Sequence, residues 1–195
     1  MHRGEGVVIE NDYVKITIKQ DKTYTVDSVD NKPYDIIMNP FKYTRSDYTK
    51  TMEIVIKNEM FEEMRIALIG SLYGVESNYA VLKDRELVFL IEKDIFIINI
   101  DEYKLIKYRK IECFGDNFGI YLVNDGYIIH GEMEVFKLDY ELDKVWQFLG
   151  ADIFVTQDEK LPFLINGDRI KIYDWNGTYY EIDLDGKLIY DTYKK

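Results

Sequence analysis

Residues 79–108, YAVLKDRELVFLIEKDIFIINIDEYKLIKY, align without a gap at an offset of 40 with residues 119–148, GIYLVNDGYIIHGEMEVFKLDYELDKVWQF. Leu82 meets Leu122, Leu87 meets Tyr127, Phe96 meets Phe136, Ile98 meets Leu138, Lys104 meets Lys144 and Leu105 meets Val145. A third stretch, residues 164–191, follows at an offset of 42 to 44 with small gaps, so that Ile182-Asp183 falls on Leu138-Asp139 and Lys187-Leu188-Ile189 on Lys144-Val145-Trp146. Self-similarity at a fixed period means that one supersecondary unit is repeated, and that each copy buries its faces by stacking on a neighbour.

Each unit holds about four short apolar runs bounded by Asp, Asn or Gly, the pattern of strands joined by tight turns. Ile95 to Ile100 is apolar almost throughout, which predicts a strand covered on both faces. About 40 residues with four strands predicts an all-β, propeller-like stack of four-stranded antiparallel units. The stretches VFKLDYELDKVWQF and YYEIDLDGKLIYD resemble β-propeller repeats of the pyrroloquinoline-quinone and WD-repeat kinds, in which an inner strand ends Leu-Asp, turns through Asp-Gly and leaves through Lys-apolar-aromatic. The resemblance covers residues 79–193 and implies blade architecture. It carries over no functional residue, since the Gly-His and Trp-Asp dipeptides of WD repeats do not occur.

Residues 1–78 read as more degenerate units or as a segment covering a sheet edge. Hairpins centred near 21, 59, 102, 142 and 185 suit about five degenerate units, or an incomplete propeller, within a single domain spanning 1–195. Pro33 and Pro40 mark a long loop. At 58–68 the context favours strand, although Phe61, Met64 and Leu68 also carry helical spacing behind Asn58.

Charge narrows the partners. With 36 acids against 25 bases the net charge is −11, which repels nucleic acid and anionic membranes and attracts a basic protein. No stretch approaches the ~20 apolar residues of a membrane-spanning helix. The first residues have no apolar run before their first acids, and Cys113 is the one cysteine, so a cytoplasmic protein without an internal disulfide is expected.

Catalytic patterns are sparse. A nucleophile site would have to combine His130 with Ser71, Ser77 or Cys113, and no G-x-S-x-G elbow supports it. His130 reads as a strand-to-turn residue, and His2 lies at the terminus. Two histidines and one cysteine give no zinc spacing. Asp174-Trp175-Asn176-Gly177 and Asp183-Leu184-Asp185-Gly186 lack the donor series of a calcium loop and read as hairpin turns. No phosphate loop occurs, so neither cofactor nor metal is expected. Lys104, Lys107, Arg109 and Lys110 form one basic patch, explained equally by edge-strand protection. Carboxylate pairs are too numerous to single out a glycosidase pair.

What remains is an acidic surface with aromatics in loops. Trp175, Phe41 and Tyr43 are the predicted anchors, Glu132, Glu134 and Asp143 the predicted steering acids, while Trp146 and Tyr180 are predicted to pack in the core. The expectation is a non-catalytic protein-interaction module, of the inhibitor or immunity type, that binds a basic partner. The alternatives are a glycan-binding module using the aromatic loops and a hydrolase with an unrecognised acidic site.

Overall fold

The computed structural model describes residues 6–46, 48–60, 62–71, 78–157 and 160–193, and among these every regular element is a strand. Among the described residues no helix is long and apolar enough to cross a membrane. The chain divides into two compact units, Met1–Ile111 and Glu112–Lys195.

The first unit contains β1 (Val7–Glu10), β2 (Val14–Asp21), β3 (Ile36–Met38), β4 (Thr49–Asn58) and β5 (Glu63–Ser71), in the sheet order β1-β2-β4-β5-β3. A second sheet runs β6 (Ala80–Lys83), β7 (Glu86–Ile91), β8 (Asp94–Asn99) and β9 (Lys104–Lys110) in sequence. Period-two alternation turns Val14, Ile16 and Ile18 inward and leaves Lys15 exposed. The inward residues join Ile54, Ile56, Ile66 and Leu68 from β4 and β5, and Leu87, Phe89, Phe96 and Ile98 from β7 and β8, in one core. A Cβ at Gly70 would lie 2.8 Å from Ile91 Cδ1, so the end of the Ile91 side chain packs into the space that the missing side chain leaves on β5.

The second unit contains β10 (Asn117–Val123), β11 (Gly126–Gly131), β12 (Glu134–Leu138) and β13 (Lys144–Leu149), followed by β14 (Phe163–Asn166), β15 (Arg169–Tyr173), β16 (Tyr179–Asp183) and β17 (Leu188–Asp191). Each set of four is an antiparallel meander. Ile128 and Val135 of the first meander pack with Ile170, Ile172, Tyr180 and Ile182 of the second around Phe154 and Phe163. Trp146 joins this core, and its Nε1–H donates to Leu184 O at 3.0 Å.

The repeat is visible at the level of single residues. In the sheets that begin with β6, β10 and β14, the fourth strand carries a bulge at the same place: the register slips between Ile97 and Ile98, between Lys137 and Leu138, and between Glu181 and Ile182. The extra residues are Ile106, Val145 and Ile189, all exposed. A bulge of this kind increases the twist of an edge strand and hinders further pairing. Thus β8, buried from Asp94 to Ile98, has the predicted cover on both faces.

Three local expectations are corrected. No hairpin is centred near residue 21. β2 runs through to Asp21 and pairs with β4, while the turn of its hairpin with β1 is at 11–13, where Asn11 Oδ1 accepts from the N–H groups of Tyr13 and Val14. The proline segment contains β3, which pairs in parallel with β5. His130 is no turn residue: it lies in β11, 5% exposed. At 58–68 the hairpin of β4 and β5 forms, with Asn58 Oδ1 accepting from Glu62 N–H. Phe61, Ser77 and His2 lie outside the described residues.

Candidate functional site

A meander places its turns alternately at its two ends. In the second unit one end carries the turns 124–125, 139–143, 167–168 and 183–187. Two of these are built alike. Asp139 N–H donates to Asp143 O and Leu142 N–H to Asp139 O, both at 3.0 Å, while Asp139 Oδ1 accepts from Asp143 N–H at 2.9 Å. Asp183, Gly186 and Lys187 repeat these bonds. The fourth position has positive φ, 78° at Gly186 and 68° at Leu142. Leucine tolerates this strained conformation because its side chain is buried, whereas Gly186 is also crowded by Trp146.

The other end is different in chemistry. It gathers the segments 112–116, 131–133, 150–157, 160–162 and 174–178, and main-chain hydrogen bonds stitch them together. Glu132 N–H donates to Asp116 O at 2.7 Å, Phe154 N–H to Glu132 O at 2.6 Å, and Trp175 N–H to Ile153 O at 2.8 Å. Gln157 Nε2 donates to Trp175 O, Asn176 Nδ2 to Asp152, and Tyr173 N–H to Pro162 O. Four large apolar side chains project from this framework: Phe114 (60% exposed), Met133 (39%), Leu161 (69%) and Trp175 (44%).

Of the six residues singled out from sequence, Trp175 and Glu132 belong to this end. Asp143 is exposed but sits at the opposite end of the strands. Glu134 is fully buried at the start of β12 and is no surface acid. Its Oε1 accepts from Phe114 N–H at 2.8 Å and its Oε2 lies 3.3 Å from Lys144 Nζ, so it holds the loop that presents Phe114. Phe41 and Tyr43 belong to the first unit and face inward. Phe41 packs edge-on against Phe96 and Tyr108, and Tyr43 O–H donates to Asp94 Oδ2 at 2.7 Å. Asn39 closes this loop by bonding Tyr43 at both N–H and C=O, and the loop lies on β8 and β9. Phe114, Met133 and Leu161 were missed from sequence. Each is a lone apolar residue among glycine, acids or proline, a signal too common to stand out.

Several titratable groups are displaced from their ordinary behaviour. His130 stacks on Phe163 at 4.6 Å and meets Phe118 edge-on, and its Nε2 is 3.3 Å from Phe154 O. Burial lowers its pKa to about 4. In the first unit burial acts to raise Glu53, but the bonds from Lys32 and Lys19 outweigh it and leave Glu53 below the usual range. Arg65 is a third cation 3.4 Å from this carboxylate. Asp21, beside Lys32, Thr23 and Tyr34, is likewise held well below its ordinary value despite its burial. Asp94 is shifted upward by burial. An open cleft of about 530 Å³ next to this cluster is lined by Tyr24, Asn31, Lys32, Tyr34 and Ile37. Cys113 is half-buried, its Sγ accepting from Asn117 Nδ2. Among the described residues no three of His, Cys, Asp and Glu converge as metal ligands do.

No protein-family model and no curated protein sequence matches this chain. Solved structures do. BamB from Moraxella catarrhalis superimposes with a TM-score of 0.50 at 12% identity, over 99% of this chain and 62% of that one. The computationally designed Ika8 protein superimposes with a TM-score of 0.52 at 11% identity, over 96% of this chain and 61% of that one. The chain therefore spans less than two thirds of the length of either structure. The fold is all-β and β-propeller-like, as residues 79–193 implied. At this identity the likeness concerns fold alone.

Proposed function

We propose that the protein is a non-catalytic interaction module that binds a basic protein partner through the loop end of its second unit. The observation that carries this reading is the group of Phe114, Met133, Leu161 and Trp175, four exposed apolar side chains on loops already fixed by main-chain hydrogen bonds. Solvent-exposed anchors on a rigid frame bind with little loss of conformational freedom, and tryptophan is the residue type most enriched among such anchors. Charge points to the partner. Residues 112–195 carry 17 acids and 8 bases, net −9, against 19 acids and 17 bases, net −2, in residues 1–111. A field concentrated in this way steers a cationic protein toward the unit that holds the anchors. An inhibitor or immunity-type role fits this reading.

The glycan reading draws less support. Tyr173, Tyr179 and Tyr190 cross three neighbouring strands, but their planes are tilted by 42° and 50°, which suits mutual packing better than a flat platform for sugar rings. The hydrolase reading with an acidic site has no particular carboxylate pair behind it, and a nucleophile site built on His130 draws little support, since His130 stacks on Phe163, meets Phe118 edge-on and is bonded to a main-chain carbonyl, a setting that suits a structural imidazole. The test is capture of partners from the native host with the whole chain, repeated with Trp175→Ala and with added salt. A basic protein retained by the wild type, and lost on substitution and at high salt, supports the proposal. Capture that is indifferent to both overturns it.

A further inference from the structure

We infer that the cleft between residues 24–34 and β3 binds a small organic cation, a primary ammonium carried on an apolar ring or chain. This site belongs to the first unit and goes beyond the reading of the loop end. Its volume of about 530 Å³ falls within the roughly 300–1,000 Å³ of small-molecule sites. Strand alternation makes its floor. Ile66 and Leu68 turn into the core, which puts Ile69 of β5 and Ile37 of β3 on the opposite face of the sheet. Val26 and Pro33 extend this apolar surface, and Ile37 is 57% exposed. One wall is fixed before any ligand arrives. Asn31 Oδ1 accepts from Thr25 N–H at 2.8 Å, and its Nδ2 donates to the carbonyls of Thr25 and Ser28. Within this clasp Asp27 has a φ of 66°, a left-handed conformation that aspartate adopts at some cost.

The polar lining selects the charge. Lys32 lies in the cleft, but Asp21 and Glu53 hold its ammonium at 3.2 and 3.0 Å and offset its charge. Asn31 and Asn39 use their amides on the main chain of their own loops. The Asp27 carboxylate and the Tyr24 hydroxyl remain. Among the described residues neither has a hydrogen bond or an ion pair. They are close enough that Asp27 adds to burial in raising the Tyr24 phenol. The Tyr24 ring meets Tyr34 edge-on at 5.7 Å. A free carboxylate, a phenol oxygen and electron-rich rings all attract a cation, whereas an anion would meet an acid and a lysine already paired.

The probes are phenethylamine, the neutral phenethyl alcohol and the anion phenylacetate, each titrated into the isotopically labelled whole chain while amide chemical shifts are followed. The amine should shift amides within residues 24–39 with a Kd of about 1 mM or tighter, and the alcohol should bind several-fold more weakly. Phenylacetate should not bind. Asp27→Asn, whose new side chain also tolerates the left-handed backbone, should weaken the amine about fivefold and leave the alcohol unchanged. Ile37→Ser should weaken both, and thermal melting checks that each variant keeps its fold. Trp175→Ala should leave amine binding as it is in the wild type, since the loop end takes no part. Phenylacetate bound as tightly as the amine, shifts centred outside residues 24–39, amine binding indifferent to Asp27→Asn, or no saturable shift with the amine would each overturn the inference.

Discussion

The two units meet the same problem, where to put acids and loop aromatics, in opposite ways. The first unit keeps Asp21 and Glu53 buried among Lys19, Lys32 and Arg65, and lays its aromatic loop back on its own sheet through Phe41 and Tyr43. The second unit leaves most of its acids at turns and turns an aromatic loop outward at Trp175. The difference shows that an aromatic residue in a loop becomes an anchor or a plug according to what lies beneath it. Phe41 covers Phe96 and Tyr108, whereas the Trp175 turn is held at its main chain by Ile153 and Gln157, so its side chain is not required to fill anything.

The largest expected effect concerns the buried acid of the first unit. Replacing Glu53 with glutamine removes the charge that three cations share at a site 1% exposed, and should cost about 3 kcal/mol or more in denaturant unfolding. The matching change in the second unit, Glu134→Gln, keeps an acceptor for Phe114 N–H and disturbs one partly exposed lysine, so about 1–2 kcal/mol is expected. Equal costs would mean that the two units handle buried charge alike.

Acid should separate the units. A histidine whose folded pKa is about 4 against an ordinary 6.5 takes up its proton more readily when unfolded. Its contribution is therefore complete above pH 6.5 and lost as the pH falls from there to about 4, by about 3 kcal/mol in all. Asp21 and Glu53 are lowered as well, but from a lower starting point, so the stability they contribute is present above their ordinary values of 3.8 and 4.5 and is lost only below them. Both tryptophans, Trp146 and Trp175, belong to the second unit, which makes their fluorescence a reporter for it. Unfolding followed by tryptophan emission should weaken between pH 6.5 and 4, and His130→Gln should flatten that dependence. A wild-type profile that is flat across this window would show that His130 is hydrated and not held neutral by its aromatic neighbours.

The plug and the anchor can be exchanged for alanine side by side. Phe41→Ala should lower stability by about 2 kcal/mol, since a half-buried ring leaves a gap over Phe96. Trp175→Ala should change stability by less than about 0.5 kcal/mol while weakening partner binding by about 1 kcal/mol or more. The reverse pattern would place the anchor in the first unit.

How much of this was legible depended on the kind of signal. The offset of 40 residues predicted the strands and turns, because local pattern and packing agree from Tyr79 onward, whereas the recurrent fourth-strand bulge was not read from it. Residues 1–71 were harder, since β2 pairs with β4 across a long connection and β3 joins in parallel, neither of which leaves a local mark. His130 was misplaced because the histidine of a Gly-bounded segment looks like a turn, while its neighbours in space are Phe118, Phe154 and Phe163. Glu134 shows the same limit: Glu132 and Glu134 look equivalent in GEMEVF, yet strand position buries one and leaves the other at the loop end.

The smallest expected effect tests that last distinction among the acids themselves. Glu132 joins the loop end through its main chain, so Glu132→Lys can reverse a charge there without breaking the bonds to Asp116 and Phe154. Asp143→Lys makes the same change in net charge at the opposite end of the strands, where Asp143 contributes main-chain bonds to its turn. Both variants should fold with little loss, since surface substitutions of this kind are usually worth less than about 0.5 kcal/mol. Screening in physiological salt limits the reach of a charge to roughly 8 Å, so association with a basic partner should slow severalfold for Glu132→Lys and barely for Asp143→Lys. Stopped-flow association at two salt concentrations separates them. Slowing by Asp143→Lys that matches or exceeds that of Glu132→Lys would move the binding surface from the apolar loop end to the acidic turn end, and would make Asp139, Asp143, Asp183 and Asp185 the groups that the partner reads.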